Sequence, residues 1–289
     1  MTAMQEARKI HPVQGRSNSG ATGGTTRGAT LVGGDALKTL PALSAKPRLV
    51  FADPPYNQGV DYGRGKRADR LSSTDYLLWS WEWIGQCVDC LAPDGSMWVV
   101  ISEEWADHFG VMLRSAGLHR RSWIIWYETF GVNCTRKFNR CARHIFHCVK
   151  DPKNFIFNAA AVSRPSDRQA KYRDKRASPH GKLWDNVWKI PRLVGNAKER
   201  VPGVPTQLPE ALLRPIIGCA TNPRDLVLDP FVGSGTTCVV ASKMGRRSIG
   251  IDNNPEYLTL AAERIGRAAE RTTYPPAYSR TEGSPDAHD

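Results

Sequence analysis

The segment 225–252 constrains the fold of this 289-residue chain more than any other part of it. A short apolar strand, 225–228, leads into LDPFVGSGTT, a helix is predicted over 236–244, and a second strand, 247–251, ends at Asp252. A strand, a glycine-rich turn, a helix, a strand and an acid make up half of a nucleotide-binding α/β fold. Since the turn of such a fold lies at the carboxyl end of the first strand, the segment predicts a ligand site at that edge of a parallel sheet.

The rest of the chain alternates strand-like and helix-like segments between two polar ends. This alternation predicts a doubly wound, Rossmann-like α/β fold with a parallel sheet. The leader 1–29 and the tail 271–289 are polar, are rich in Gly and Ser or contain Pro, and are predicted to be disordered. The other predicted strands are 30–33, 48–52, 96–102 and 121–126, and the other predicted helices are 35–43, 76–91, 104–116, 209–219 and 255–267.

Basic charge is concentrated in one part of the chain. Against 28 Asp and Glu there are 40 Lys and Arg, a net charge of +12. Residues 131–200 hold 17 basic and 5 acidic side chains, so this segment carries the whole excess and the remainder is neutral. Such a concentration favours a dedicated phosphate-facing surface over a merely solvated face, and it predicts a polyanionic partner.

The sequence has no apolar stretch typical of a secretory signal or a membrane span, which predicts a cytoplasmic protein with no membrane partner. Its seven cysteines, an odd number, are expected to be reduced. Cys87 and Cys90 fall on the apolar face of helix 76–91, and the run HIFHC that ends at Cys148 alternates like a strand. Because the second CxxC pair of a zinc ribbon is missing, we predict no metal site.

The glycine-rich turn favours a cationic cofactor. A Walker phosphate loop needs a Lys before its Ser or Thr, whereas Thr236 directly follows Gly235, and the third glycine of a dinucleotide fingerprint is missing. Asp229 and Asp252 flank the turn, and two carboxylates suit a ligand with an ammonium, a sulfonium and free ribose hydroxyls. We therefore predict S-adenosylmethionine, with Asp229 at its ammonium, the glycines at its methionine portion and Asp252 at its ribose.

A second motif, DPPY, follows the apolar strand 48–52. An exocyclic amino group on a base is a poor nucleophile, because its lone pair is delocalised into the ring. Asp53 and a backbone carbonyl can each accept one N–H and aim the nitrogen lone pair at a methyl group. Pro54 and Pro55 fix the backbone, and Tyr56 offers a flat face on which an extruded base can stack. The motif predicts methyl transfer to an amino group.

Taken together, LVFADPPYN, LDPFVGSGTT and GIDNNPEY closely resemble the amino-methyltransferases that act on DNA, in the subgroup (beta class) whose catalytic motif precedes the cofactor motif. The resemblance runs from about residue 31 to 267. It implies a circularly permuted methyltransferase fold that depends on S-adenosylmethionine, with an inserted target recognition segment. The implied divisions are a catalytic half, 30–130, a basic recognition segment, 131–200, and a cofactor-binding half, 201–270.

The resemblance also implies a set of cofactor-binding residues. Asp35 of GDALKTLP matches an acidic position near the adenosine portion. GVPTQLPEALL resembles the HPTQKP motif near the methionine end, but Val204 replaces its His and Leu208 its Lys, which leaves a backbone contact through Thr206 or Gln207. The complete implied set is Asp35, Thr206, Gln207, Asp229, Phe231, Gly233, Ser234, Gly235, Thr236, Thr237 and Asp252.

Duplex DNA is the implied partner. The polar loop 57–74 after DPPY is expected to order when DNA binds, and Trp184 and Trp188 resemble a W-D-V-W-x-I-P element that packs the recognition segment onto the core. Phosphate contacts position such a protein and base contacts specify its site, and the sequence does not divide the basic residues between these roles. The implied DNA-binding residues are Arg64, Lys66, Arg67, Arg136, Lys137, Arg140, Lys171, Arg173, Lys175 and Arg176.

The predicted activity is site-specific methylation of adenine N6 in duplex DNA, by base flipping and direct displacement, in a restriction-modification setting. The leading Asp of DPPY resembles adenine enzymes, and N4-cytosine methylation is the alternative. A protein glutamine N-methyltransferase, whose NPPY motif solves the same problem, is disfavoured by the motif order and by the +12 segment. A catalytically silent DNA-binding relative is disfavoured by the intact DPPY. Because members of the subgroup are often dimers, a homodimer is expected.

Overall fold

The computed structural model describes residues 23–26, 28–172, 174, 176, 178 and 181–270. Nine strands of this part of the chain form one sheet, and two short strands pair separately. The strands are β1 (Gly23–Thr26), β2 (Ala29–Gly33), β3 (Leu49–Ala52), β4 (Ser96–Ile101), β5 (His119–Val132), β6 (Arg140–Val149), β7 (Ser163–Arg164), β8 (Lys182–Leu183), β9 (Val187–Lys189), β10 (Leu226–Asp229) and β11 (Arg247–Asp252).

The sheet runs in the order β1-β2-β11-β10-β3-β4-β6-β5-β9. Its centre is parallel from β2 to β4, as predicted. β10 and β11, which come last in the chain, lie between β2 and β3. β6 differs from the prediction, since it is antiparallel to both β4 and β5. The reason is its short connection to β5, because a short loop joins antiparallel neighbours only.

Helices cover both faces of the sheet. In the described residues they are α1 (Ala36–Thr39), α2 (Ser73–Cys90), α3 (Ala106–Ser115), α4 (Asp167–Ala170), α5 (Glu210–Ala220), α6 (Thr236–Lys243) and α7 (Pro255–Glu270). β3 and β4 are buried along their whole length, and alternate residues point to opposite faces. Val50 and Val99 pack with α2 and α3, while Phe51 and Val100 pack with α5 and α6. Strands covered on both faces explain the continuous apolar runs of the sequence.

Two predicted boundaries differ from the structure. The leader was predicted to be disordered through residue 29, but Gly23–Thr26 pairs antiparallel with β2; the rest of the leader before residue 28 and the tail 271–289 lie outside the described residues. The segment 131–200 is not one insertion, because its part Arg140–Val149 is a strand of the central sheet. Charge identified the segment, whereas strand pairing decides which part belongs to the core.

The tryptophan element packs as the resemblance implies. Trp188 is buried in the core cluster beside α5, and Trp184 lies edge-on against it with ring centroids 5.5 Å apart. None of the seven cysteines, all of which the structure describes, forms a disulfide, and Cys87 and Cys90 are buried on α2. The described residues contain no cluster of three or more His, Cys, Asp or Glu arranged to hold a metal. None of the helices in this part of the chain combines the length and apolar character that crossing a membrane requires.

Candidate active site

Both sequence motifs open into one cavity of about 310 Å³. β3 and β10 are parallel neighbours in the sheet, with Leu49 opposite Val227. Their carboxyl ends are therefore adjacent, and the DPPY turn after β3 faces the glycine-rich turn after β10. The predicted acids Asp35, Asp53, Asp229 and Asp252 all line this cavity.

The DPPY turn is held from two sides. The Tyr76 hydroxyl on α2 donates to the Pro55 carbonyl at 2.7 Å, and the Trp105 indole N–H donates to the Tyr56 carbonyl at 2.9 Å. α2 begins after Ser72, whose Oγ accepts the Asp75 N–H at 3.1 Å. A capped helix and the residue before α3 thus fix the turn that carries Asp53.

Asp53 and Tyr56 contact each other directly, because the Tyr56 hydroxyl donates to Asp53 Oδ1. Burial raises the pKa of Asp53 to about 6, while Arg143 and the Tyr56 hydrogen bond pull it down. The sequence predicted that Tyr56 offers a stacking face. In the structure Tyr56 is only 7% exposed and the Arg143 guanidinium lies over its ring, 4.8 Å from the centroid. Arg143 therefore occupies one face of the ring that was predicted to stack on the target base.

Arg143 is a site residue that sequence reasoning missed. It belongs to the basic segment and was counted there only as charge. Pairing of β6 with β5 places it opposite Trp126, and it lines the cavity beside Tyr56. Its Nε donates to Glu128 Oε1 at 3.0 Å. The only sequence signal was the strand-like alternation of HIFHC, the run that directly follows Arg143. This alternation predicts a strand but does not indicate that the strand lies next to the DPPY turn.

Asp229 supports the glycine-rich turn. Its Oδ2 accepts the Thr237 hydroxyl at 2.6 Å and its Oδ1 accepts the Phe231 N–H at 2.9 Å. Burial raises the pKa of Asp229 to about 7, and these two hydrogen bonds oppose the shift. Each carboxylate oxygen retains a lone pair, so the cavity-facing carboxylate can still accept from a cationic ligand.

Asp252 ends β11 at the other side of the turn. Its Oδ2 accepts the Gly233 N–H at 2.9 Å and its Oδ1 accepts the Asn254 N–H at 2.8 Å. Burial raises the pKa of Asp252 as well. Gly233 has φ +47°, and a Cβ there would meet nothing closer than 4.0 Å, so its backbone faces open space at the cavity wall. Phe231 lines the same wall and packs against Trp79 and Trp83.

Gly235, predicted to approach the cofactor, lies outside the cavity lining. It has φ +80°, and a Cβ there would come within 2.7 Å of Ala261 Cβ on α7. The close packing of α7 therefore requires a glycine at position 235. Ser234 and Thr236 do line the cavity, but Arg264 holds both: its Nη1 donates to the Ser234 carbonyl at 2.6 Å and to Thr236 Oγ1 at 3.1 Å. No sequence pattern indicated this buried arginine.

The remaining predicted cofactor residues have structural partners as well. Asp35 caps α1 by accepting the Leu37 N–H at 3.0 Å. The Gln207 amide binds the backbone of its own loop, accepting the Val201 N–H at 2.7 Å and donating to the Glu199 carbonyl at 2.6 Å. The Thr206 side chain lies beside the Tyr62 hydroxyl. All three residues line the cavity.

Residues 57–71, which we call the lid loop, cover the cavity on the DPPY side. The sequence predicted that this loop orders on DNA, but it is already folded around the buried Asp69. Asp69 Oδ1 accepts the Asn57 N–H at 2.9 Å, and Oδ2 accepts those of Gln58 at 3.1 Å and Val60 at 2.9 Å. The predicted DNA-binding residues of the loop are exposed: Arg64, Lys66 and Arg67.

The second basic group lies in the loop 133–139 between β5 and β6 and at Arg140, the first residue of β6. Lys137 pairs with Glu103 at 3.2 Å and Arg140 with Glu104 at 3.0 Å. Arg136 is exposed, and Phe138 is 97% exposed at the same loop. In the third group, Arg176 pairs with Asp174 and Lys171 lies over the Tyr172 ring, whereas Arg173 and Lys175 lie outside the described residues.

A Rossmann-like sheet that brings an acid-flanked glycine turn and a DPPY turn to one cavity defines an amino-group methyltransferase. Residues 48–263 match the DNA methylase family N6_N4_Mtase, and the chain belongs to this family. The family resemblance inferred from the sequence is confirmed. The match also supports DNA over the protein glutamine substrate that was the alternative.

Two curated relatives cover most of the chain. Type II methyltransferase M.HpaI of Haemophilus parainfluenzae is 36% identical over 237 residues, which are 81% of this chain and 73% of that protein. DNA adenine methyltransferase YhdJ of Escherichia coli K12 is 36% identical over 249 residues, which are 83% of each.

Solved structures share the fold. M1.HpyAVI in its complex with SAM superposes with a TM-score of 0.60 at 24% identity, covering 82% of this chain and 98% of that one. The cytosine-N4-specific PvuII DNA methyltransferase gives 0.62 at 19% identity, covering 86% and 93%. The predicted Rossmann-like methyltransferase fold is confirmed.

Proposed function

We propose that this protein is a site-specific DNA methyltransferase that transfers a methyl group from S-adenosylmethionine to adenine N6 in duplex DNA. The observation that carries the proposal is the shared cavity, in which Asp53 of DPPY lies with the acids of the glycine-rich turn. Adenine is supported by the leading Asp of DPPY and by the name of the relative YhdJ. N4-cytosine is the alternative target.

The cavity suits a cationic methyl donor. Asp229 and Asp252 bring negative charge to the turn, and burial without a cationic partner raises the pKa of both carboxyls. A bound ammonium or sulfonium would stabilise the two ionised carboxylates, whereas a phosphate would destabilise them. S-adenosylmethionine supplies an electrophilic methyl group. We assign its binding to Asp229, Asp252 and the Gly233 backbone, with Asp35 at the adenosine end.

Asp53 positions the target amino group. Its Oδ1 already accepts from Tyr56, so its Oδ2 is the atom we assign to one N–H of the target. The carbonyl of Pro54, fixed by the two prolines, takes the second N–H. This arrangement directs the nitrogen lone pair at the methyl carbon. As the N–C bond forms, the bond between that carbon and the donor sulfur breaks, and the methylated nitrogen then releases one proton to solvent along its hydrogen bond with Asp53 Oδ2. Direct displacement needs no covalent enzyme intermediate.

We infer base flipping, and the position of Asp53 in the cavity supports it, because an amino group stacked inside a duplex does not reach a cavity of this kind. The basic residues of the lid loop and of the 133–139 loop are assigned to DNA phosphates. Phe138 projects from the 133–139 loop with 97% exposure, next to cations. An apolar side chain in that position suits the gap that an extruded base leaves in the stack.

Methyl transfer to unmethylated genomic DNA tests the proposal. The DNA is incubated with labelled S-adenosylmethionine, digested to nucleosides and analysed by mass, with Asp53→Ala in parallel. We expect N6-methyladenine with the intact protein only. N4-methylcytosine would overturn the assignment of the base. Neither product, with cofactor binding intact, would overturn the assignment of the substrate.

Three further proposals concern the cellular setting. Relatives named type II methyltransferases support a restriction-modification role, and a DNA substrate supports the cytoplasm. A homodimer is proposed from the subgroup that the sequence resembles. Light scattering at micromolar concentration tests it, and a monomeric mass would contradict it.

A further inference from the structure

Arg143 and Glu128 form an ion pair beside the catalytic turn. Arg143 Nε lies 3.0 Å from Glu128 Oε1, and Glu128 is only 8% exposed. Glu128 is two residues beyond Trp126, the cross-strand partner of Arg143, so the pair is a diagonal one across β5 and β6. A register shift follows directly after Tyr127, and Thr129 has φ +64°. Irregular strands with strained backbone often aim side chains at active sites.

The other side of the guanidinium faces Tyr56. Its Cζ lies 4.8 Å from the Tyr56 ring centroid and 6.0 Å from that of Trp126. A planar cation over an aromatic face restricts how that ring can turn. The orientation of the Tyr56 ring determines where its hydroxyl meets Asp53. A chain of contacts therefore runs from Glu128 through Arg143 and Tyr56 to Asp53.

Several groups act electrostatically on Asp53, and Arg143 is the cation among them. Glu128 and Asp229 repel a negative charge at Asp53, and burial has the same effect, whereas Arg143 and the Tyr56 hydroxyl favour it. The ionisable groups that face Asp53 from the surrounding elements are Tyr56, Tyr62, Tyr76, Glu128, Arg143 and Asp229.

We propose that Arg143, held by Glu128, is a positioning residue for methyl transfer that fixes the Tyr56 ring and keeps Asp53 an ionised hydrogen-bond acceptor. The inference rests on the proposed role of Asp53. A protonated Asp53 would present a donor to the target amino group and lose one acceptor. A buried ion pair with a purely structural role acts differently, because breaking it lowers stability without changing the ionisation of a neighbour.

The test compares Arg143→Met and Arg143→Lys with the wild type in the full-length protein. The pH dependence of kcat/KM, kcat, KM for DNA, cofactor affinity by calorimetry and thermal unfolding are measured for each variant. Arg120→Met is the matched control, because it removes a guanidinium 5.3 Å from the Trp123 ring at the opposite end of β5. Asp53→Ala reports on the proposed function itself.

We expect Arg143→Met to lower kcat by about tenfold or more at neutral pH, since small losses of alignment are costly in methyl transfer. The acid limb of kcat/KM should move upward by about one pH unit, because Asp53 loses its cationic neighbour. Arg143→Lys should restore the position of that limb but only part of kcat, because an ammonium does not stack as a planar guanidinium does. Cofactor affinity should be unchanged.

Equal loss of rate at every pH, with the acid limb unmoved and Lys no better than Met, would show a structural ion pair and overturn the inference. A wild-type profile for Arg143→Met beside an inactive Asp53→Ala would overturn this inference alone. Wild-type turnover by Asp53→Ala would overturn the proposed role of Asp53, and this inference with it.

Discussion

The Asn254 side chain donates from Nδ2 to the Tyr62 carbonyl at 2.9 Å, joining positions 192 residues apart in the chain. Asn254 directly precedes α7 and Tyr62 belongs to the lid loop, so the bond ties the lid loop to the half of the protein that carries the glycine-rich turn. The approach is close, since a Cβ on Gly63 would come within 2.4 Å of Asn254 Nδ2.

Asn254 variants should separate the lid contact from helix capping. Asn254 Oδ1 accepts the Glu256 N–H at 2.9 Å. Asn254→Asp keeps this capping oxygen and loses the amide donor, so we expect near wild-type stability but faster proteolysis of the lid loop and weaker cofactor binding. Asn254→Ala loses both and should also unfold about 1 kcal/mol more easily. Urea titration, limited proteolysis and calorimetry measure these effects. If the lid loop of Asn254→Asp resists proteolysis as well as that of the wild type, the prediction is contradicted.

The two glycines of the turn should differ in their tolerance of a methyl group. Gly235→Ala places a Cβ against Ala261 at positive φ, and we expect a loss of about 2–3 kcal/mol in the free energy of unfolding. Gly233→Ala meets no atom closer than 4.0 Å and should lose about 1 kcal/mol from its backbone conformation alone. Urea denaturation of both variants checks the order, and equal losses would argue against a packing role for Gly235.

His147 should make stability depend on pH. It is buried between Trp98 and Phe157, and burial lowers its pKa from 6.5 to about 3. The unfolded chain therefore binds a proton that the folded protein does not, and stability falls as pH drops through 6.5. Between pH 7.5 and 5.5 the wild type should lose about 1.4 kcal/mol more than His147→Phe, which keeps the ring stack. Parallel urea titrations at the two pH values measure the difference, and equal losses would contradict it.

Acidic partners should weaken DNA binding by the 133–139 loop. Lys137 and Arg140 are paired with Glu103 and Glu104, which repel phosphate. Glu103→Gln with Glu104→Gln should raise affinity for duplex DNA, whereas Lys137→Ala with Arg140→Ala should lower it and reduce the slope of log K against log salt by about 2. Fluorescence anisotropy over a salt series tests both. An unchanged slope in the Lys137 and Arg140 variant would place the DNA elsewhere.

Phe138 should matter for extrusion of the base but not for folding. Because its side chain is 97% exposed, Phe138→Ala should leave the unfolding midpoint unchanged. We expect a smaller rise in 2-aminopurine fluorescence on binding, and a lower kcat, because no side chain then fills the gap in the stack. Val111→Ala, at an exposed apolar residue of α3, is the control. Wild-type fluorescence for Phe138→Ala would rule out its role as a wedge.

Local pattern predicted most elements but few of their ends. The helix predicted over 76–91 begins at Ser73, because Ser72 supplies the cap. The strand predicted over 121–126 extends over His119–Val132. This strand, β5, extends beyond the short apolar run because it pairs with β6. The polar residues at the ends of β5 do not indicate that β6 is its partner.

The sequence by itself determined the fold class, the two motifs and four of the acids that line the cavity, because these depend on local periodicity and on motifs that end strands. Tertiary structure decided how each residue is used. Gly235 packs against α7, the Gln207 amide binds its own loop, and Arg143 lies on Tyr56. Each outcome depends on contacts between residues distant in the chain, and local pattern carries no information about which distant surfaces meet.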